Sequence, residues 1–360
     1  DAVNFLNSAI GAKVAKFRTI IIVAAVGVFM GATMSNGMME VARNGVFHPA
    51  MFSLKELMFI FLAVIISDVI LLDIFNNLGL PTSTTVSLVF ELLGGTTAFV
   101  LLKLANDTTG LTVGDLMNTE KALGMIMAIF VSVAIAFFFG IVLQYISRLV
   151  FTFTYKKNLK WKIGIFGGVA TTAIFYFMLF KGIKSMSFVT PEIYEYIQNH
   201  TLAILGICFL ASTAIMQFLY FLKVNVFKIL VLMGTFALAM AFAGNDLVNF
   251  IGVPLAGYSA YTDFAASGAS DPSTFMMSSL EGPAKSPMIF LVAAGAVMVF
   301  SLATSKKAHN VIKTSVDLSR QSEGDEMFGS SKIARVLVRF SNNTANFFQD
   351  VVPDNVKAWC

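Results

Sequence analysis

With 57% hydrophobic and 13% charged residues and a mean hydropathy of +0.78 over 360 positions, the chain carries more apolar surface than a soluble core of its size can bury. A water-soluble domain is excluded, and the excess must face lipid. The net charge of +4 sits in short loops between apolar runs, where it sets orientation, so no nucleic-acid site is read in it. Cys208, inside an apolar run, and Cys360, at the last position, imply no disulfide framework. Residue 1 opens on small and polar residues without a basic leader, so no signal peptide is expected and a missing upstream piece is the simpler account.

Runs long enough to cross a hydrocarbon layer of roughly 30 Å, or half of it, recur near 19–36, 57–76, 82–102, 122–147, 163–181, 201–222, 228–243 and 287–304. The fold class is therefore all-α, a polytopic membrane protein of about eight crossings. Alternating the loops across the membrane gathers about two thirds of their Lys and Arg on one side, among them Lys13, Arg148, Lys156, Lys228 and Lys307. That side is expected to be cytoplasmic. The opposite loops mix Arg43, Lys55 and Lys103 with Glu40, Glu56, Asp115 and Asp263. From 305 to 360 the chain is polar, with an amphipathic period at Ile333, Val336, Leu337 and Phe340. It reads equally as a helix on the inner membrane face and as a solvated linker.

The start of the chain repeats itself. Asp1, Val3, Asn4 and Phe5 return as Asp246, Val248, Asn249 and Phe250, four of five positions at an offset of 245. Under the alternating topology the span after the first copy runs outward and the span after the second runs inward, so the copies are inverted. Inverted repeats with polar, Gly-rich matching segments point to a transporter site near the midplane. The expected division is 1–147 for a first inverted repeat truncated at its N-terminus with its following span, then 148–227 for intervening transmembrane helices. A second repeat, truncated on its C-terminal side, follows at 228–304, and 305–360 is a cytoplasmic segment.

Gly244, Gly252 and Pro254 are expected to break the helix around the second copy, and a break inside the membrane is tolerated only where its backbone lines a cavity or a ligand. Asp246 and Asn249, at i and i+3, would share a face and offer oxygens to a small hard cation. A second signal is Pro81, Thr82, Ser83, Thr84, Thr85 and Ser87, which read as a hydroxyl-rich helix N-terminus. Such an end suits an oxyanion, although membrane hydroxyls also serve helix packing. Asp68, Asp73 and Glu91 fall within predicted spans, where a carboxylate costs roughly 2.5–3.5 kcal/mol and calls for a function. Coupling cations or protons supply one; Asp68 and Asp73 at a wet interface would be the plainer reading.

These residues resemble PiT-type inorganic phosphate transporters. Their duplicated Gly-Ala-Asn-Asp-x-x-Asn-Ala motif is matched by Gly244, Asn245, Asp246 and Asn249, and in truncated form by Asp1 and Asn4. The Pro-x-Ser-Thr/Gly-Thr element is matched by Pro81 to Thr85, and a Glu-x-x-Arg-x-Gly stretch by Glu40, Arg43 and Gly45. The resemblance implies import of inorganic phosphate by symport with sodium, or with protons, through alternating access between inverted halves with broken or re-entrant helices. It implies that Asp1, Asn4, Asp246 and Asn249 hold sodium and help hold phosphate, with Asn245 beside them. Ser83, Thr84 and Thr85 would bind phosphate oxygens, and Glu40 matches a position tied to phosphate transport. Arg43 would pair with Glu40 or solvate its loop. No cofactor beyond the coupling ion is implied. The partners are phosphate, sodium and the bilayer, with a homo-oligomer left open. The expected location is the cell membrane, as a multi-pass protein of a bacterial inner membrane.

Three departures stand out. The residue before Asp1 is absent, no second Pro-x-Ser-Thr-Thr follows the second copy, and Phe5 and Phe250 replace the usual Ala. The first two lead to the expectation that both ends are missing and that this piece alone does not transport. The nearest alternative is another oxyanion such as sulfate on the same scaffold, though phosphate keeps a proton that a carboxylate can accept and sulfate does not. An intramembrane enzyme is disfavoured because no His-Glu-x-x-His occurs and His48, His200 and His309 lie in loops or at span ends. An ion channel is disfavoured by the duplication and inversion.

Overall fold

In a computed structural model the described residues are 2–34, 43, 45–106, 110–151, 159–182, 191–282, 287–318, 336 and 339. The longer helices among them are α1 (Ala2–Gly11), α2 (Phe17–Thr33), α3 (Leu54–Leu78), α4 (Thr84–Ala105), α5 (Thr119–Phe151), α6 (Leu159–Gly182), α7 (Pro191–Asn199), α8 (Thr201–Phe221), α9 (Val226–Ser267), α10 (Met288–Thr304) and α11 (Lys306–Leu318). Among the described residues β-structure is limited to two isolated bridges. The chain forms a compact unit over 1–318 and a second over 319–360, where Val336 and Arg339 are helical.

Every apolar run of the sequence coincides with a helix. Among the described residues six are long and apolar enough to cross a membrane singly, and α10 with α11 makes a seventh, bent by 65° where Ser305 separates them. The apolar α2 is 17 residues long. Lipid satisfies no backbone group, so each span closes its own ladder and the ends are capped locally. Ser53 and Glu56 form a capping box at the start of α3, with the Ser53 N–H donating to Glu56 Oε2 at 2.8 Å, and Gly79 ends that helix in the left-handed region at φ 68°. Along α5 only Ala122 is buried, so nearly its whole apolar surface is lipid-facing.

The break expected between Gly244 and Pro254 does not occur. The α9 helix runs uninterrupted for 42 residues, about 63 Å, with Pro254 inside it. A glycine costs a helix only about 1 kcal/mol, and Pro254 removes a single rung of the ladder. Unwinding would expose several backbone groups to an apolar environment, which costs more. The irregular geometry lies elsewhere, at the bend after α10 and at the turn of Ala12–Lys16 that separates α1 from α2.

Glycines set the closest approach between rods. A Cβ on Gly27 would stand 2.6 Å from the Phe236 carbonyl, and one on Gly31 would run into the backbone of Met240, so α2 lies directly on α9. Ala32, farther along α2, packs with Leu247, Val248 and Leu291, which makes α2 and α9 parallel. The α10 helix packs on α2 in the opposite sense: Gly295 meets Ala32 near one end, and Leu302 joins Ile20, Ile21 and Ala24 near the other. The spans following the two motif copies are thus antiparallel neighbours, the inverted relation read from the sequence. Gly164, Gly167 and Gly168 of α6 receive Gln217, Met216 and Thr213 of α8 in the same manner.

At one end of the bundle three loops interleave. Phe47 bridges Met117, Ser53 bridges Met276, and Phe47, Phe52, Leu116, Met277 and Leu280 are fully buried between them. Lys103 Nζ lies 2.9 Å from Glu56 Oε2, donates to the Met51 carbonyl at 2.9 Å and stands 5.0 Å over the Phe52 ring. Arg43 neither solvates its loop nor lies exposed; it is buried and donates to the Ser279 carbonyl at 3.2 Å. These are the loops assigned to the outer side. At the other end Lys307 pairs with Asp73, Asn7 Nδ2 donates to Ser315 Oγ at 3.3 Å, and Phe17 packs edge-on to His309. The α11 helix therefore belongs to the compact unit, with Val311, Ile312 and Thr314 buried.

Gly31→Ala should destabilise the protein by about 1–3 kcal/mol through overpacking against Met240, whereas Gly94→Ala, with no atom within 4 Å of the new methyl, should be neutral or better. Thermal unfolding of the two variants in detergent, compared with the parent, checks the contrast.

Candidate functional site

The tip of the α3–α4 hairpin carries the hydroxyl-rich element. Pro81 keeps residues 80–83 out of a helix, Ser83 caps α4 by accepting the Val86 N–H at 3.4 Å, and Thr84 and Thr85 open the first turn. On α9, Asn245, Asp246 and Asn249 lie within little more than one turn, facing that tip. Asn249 Nδ2 donates to Thr84 Oγ1 and to Thr85 Oγ1, both at 2.9 Å, and Asn245 Nδ2 donates to Thr85 Oγ1 at 2.8 Å. Thr84 Oγ1 donates to Asp246 Oδ1 at 3.4 Å. Thr84, Asp246 and Asn249 are buried.

Hydrogen-bond inventory shows what this arrangement offers. Thr85 Oγ1 accepts from two amides, which uses both of its lone pairs and leaves its O–H to donate. The first-turn N–H groups and positive dipole end of α4 add donors at the same place. Beside them stands the Asp246 carboxylate, a hard oxygen ligand and a proton acceptor. Donors for an oxyanion and an acceptor for a cation or a proton are thus brought together on two helices.

The site opens onto a cavity of about 690 Å³ whose wall includes Thr82, Thr84, Asp246, Asp68 and Asn76. Phe5 and Phe250, which replace the small residue usual after each motif asparagine, line it as well. The Asp68 carboxylate, one of the acids within the spans that call for a function, thus faces the same space. Its Oδ1 lies 3.4 Å from Ser87 Oγ, which bonds Glu91 Oε1 at 2.7 Å. Ser87, read in the sequence as part of the hydroxyl-rich helix start, instead links two carboxylates, and with Glu91 at i and i+4 it shares a helix face. Asp73 lies outside this group, half-exposed at the end of α3 against Lys307. Ala308 and Val311 of α11 border the cavity from that same end.

Of the first copy, Asn4 is on α1, exposed, and one position from Phe5, whose ring centroid lies 6.4 Å from that of Phe242 and seats α1 on α9. Asp1 and Glu40 lie outside the described residues.

A multi-pass membrane transporter with a polar site held between packed helices is the class that this fold and site define. The model of the phosphate transporter family matches residues 1–315, and the chain belongs to that family. Among solved structures, that of a sodium-dependent phosphate transporter shares the fold with a TM-score of 0.57 at 19% identity, over 88% of this chain and 73% of that one. A search of curated proteins gave no match.

Thr85→Val should destabilise the protein by about 1–3 kcal/mol, because it removes the acceptor shared by Asn245 and Asn249, and Thr85→Ser should restore most of that. Thermal unfolding in detergent distinguishes them. A double-mutant cycle on Asp73 and Lys307 should return a coupling below about 1 kcal/mol, as expected of a pair exposed to solvent on both sides.

Proposed function

We propose that the protein imports inorganic phosphate by symport with sodium through alternating access, with phosphate bound between the first turn of α4 and the Asn245–Asn249 turn of α9. The observation that carries this reading is the direct contact of Thr84 and Thr85 with Asn245, Asp246 and Asn249. Ser83, Thr84 and Thr85 supply hydroxyl and N–H donors to phosphate oxygens. Asp246 and Asn249, joined by Asp1 and Asn4 of the first copy, supply oxygens to sodium, and Glu40 supports phosphate transport. The co-bound cation and the dipole of α4 provide the positive charge that a buried arginine would otherwise contribute.

Phosphate is favoured over sulfate because a protonated phosphate oxygen donates to the Asp246 carboxylate, while sulfate would set two anions against each other. Sodium is favoured as the coupling ion because the solved transporter that shares the fold is sodium-dependent. The repeats are 1–147 and 228–304, and the protein resides in a bacterial inner membrane, with the lysine-rich loops in the cytoplasm.

The test is uptake of labelled phosphate into proteoliposomes holding the intact protein. A sodium gradient should drive uptake that excess sulfate leaves intact, and Asp246→Asn should lower it about tenfold or more, the equivalent of about 1.4 kcal/mol or more. Uptake driven by a proton gradient alone would replace the coupling ion, full competition by sulfate would replace the substrate, and no gradient-driven uptake would overturn the reading.

A further inference from the structure

A second cavity, of about 600 Å³, lies away from the transport site, where the Ala12–Val14 turn, the end of α5, Phe166 of α6 and the start of α9 meet. Its volume falls within the range of roughly 300–1,000 Å³ usual for small-ligand sites. Three cations line it, each from a different element: Lys13 from the turn, Arg148 from α5 and Lys228 from α9. Gln144, Ser147 and Asn225 add hydrogen-bonding groups, and among the described lining residues there is no Asp or Glu. Lys13, Arg148 and Lys228 give this lining a positive character that suits an anion.

The other half of the lining is apolar. Phe151, Phe166 and Phe227 pack edge-on or tilted at 4.8, 5.4 and 5.9 Å between centroids and form one wall, with Val14 and Val231 beside them. The neighbouring Leu143, Ile146 and Leu149 of α5 are exposed on the lipid-facing surface of the bundle. A hydrated free anion gains nothing from aromatic walls, whereas a molecule with a charged head and hydrocarbon chains satisfies both halves. The cavity also lies on the side of the lysine-rich loops, the leaflet face on which basic pockets between helices hold anionic headgroups.

We infer that this cavity is a binding site for an anionic phospholipid, with the phosphate headgroup held by Lys13, Arg148 and Lys228 and an acyl chain along Phe151, Phe166 and Phe227. The lipid joins the turn after α1 to the start of α9, so it fastens the helices that carry the two motif copies. It is distinct from the transport site, and its test does not depend on transport.

The intact protein in neutral detergent, titrated with dioleoyl phosphatidylglycerol and separately with dioleoyl phosphatidylcholine, reports binding by native mass spectrometry and by thermal shift. Phosphatidylglycerol should bind at least tenfold more tightly and raise the unfolding temperature, and its affinity should fall with added salt. Arg148→Gln and Lys228→Gln should each weaken it roughly fivefold, at about 1 kcal/mol per basic residue, with Lys228→Arg restoring binding. Equal affinity for the two lipids would overturn the inference. So would inorganic phosphate displacing phosphatidylglycerol and giving the same thermal protection, because the site would then serve the free anion. Should a Gln variant fail to fold, the salt dependence and lipid preference of the parent protein decide the matter by themselves.

Discussion

Two threonine hydroxyls at the tip of a helical hairpin are the point on which the site depends. Within lipid, a helix N-terminus with its N–H groups and hydroxyls unpaired is costly, and so is a turn bearing two amides and a carboxylate. Each resolves the other's deficit: three amide-to-hydroxyl bonds and one hydroxyl-to-carboxylate bond join the start of α4 to the middle of α9. These polar bonds fix the tip of the hairpin, while Leu88 and Leu92 join Val253, Ala256 and Ala260 in one apolar cluster beyond it. The cavity beside it, and the presence of Asp68 in its wall, follow from that docking.

The remaining architecture is held by two other means. In the bundle, rods approach until backbone meets backbone, because Gly27 and Gly31 leave no side chain between them, and dispersion over that contact substitutes for a hydrophobic drive that lipid cannot supply. Beyond the bundle, water is available again and ordinary protein packing takes over. There Phe47, Phe52, Leu116, Met277 and Leu280 make a small core of the usual kind, trimmed by the Lys103–Glu56 pair.

The spans are legible in the sequence because lipid imposes a long, unbroken apolar requirement that few other environments impose, and every such run is a helix. The two site elements are legible for the opposite reason: Asp246 and Thr84 are polar where polarity is expensive. That they touch, across 162 positions, is not, since pairing between helices leaves no mark on local sequence. The continuity of α9 is hidden because Gly244, Gly252 and Pro254 weaken a helix in water, while in an apolar setting the alternative is worse. The burial of Arg43 is hidden because it donates to a main-chain carbonyl, at Ser279, and a carbonyl has no residue type to recognise. Gly27 and Gly31 do carry a signal, since their spacing of four is the mark of close helix contact, but it names no partner helix.

The unbroken α9 has a mechanical consequence. A rod of 42 residues carries Asp246 near its centre, with its ladder continuous on both sides of the site. Its ends reach the loop core on one face and the basic cavity on the other, with α2 fixed along one flank by glycine contacts. Any tilt about the centre moves the two ends in opposite directions, like a seesaw. Widening at one end is then linked by geometry to narrowing at the other.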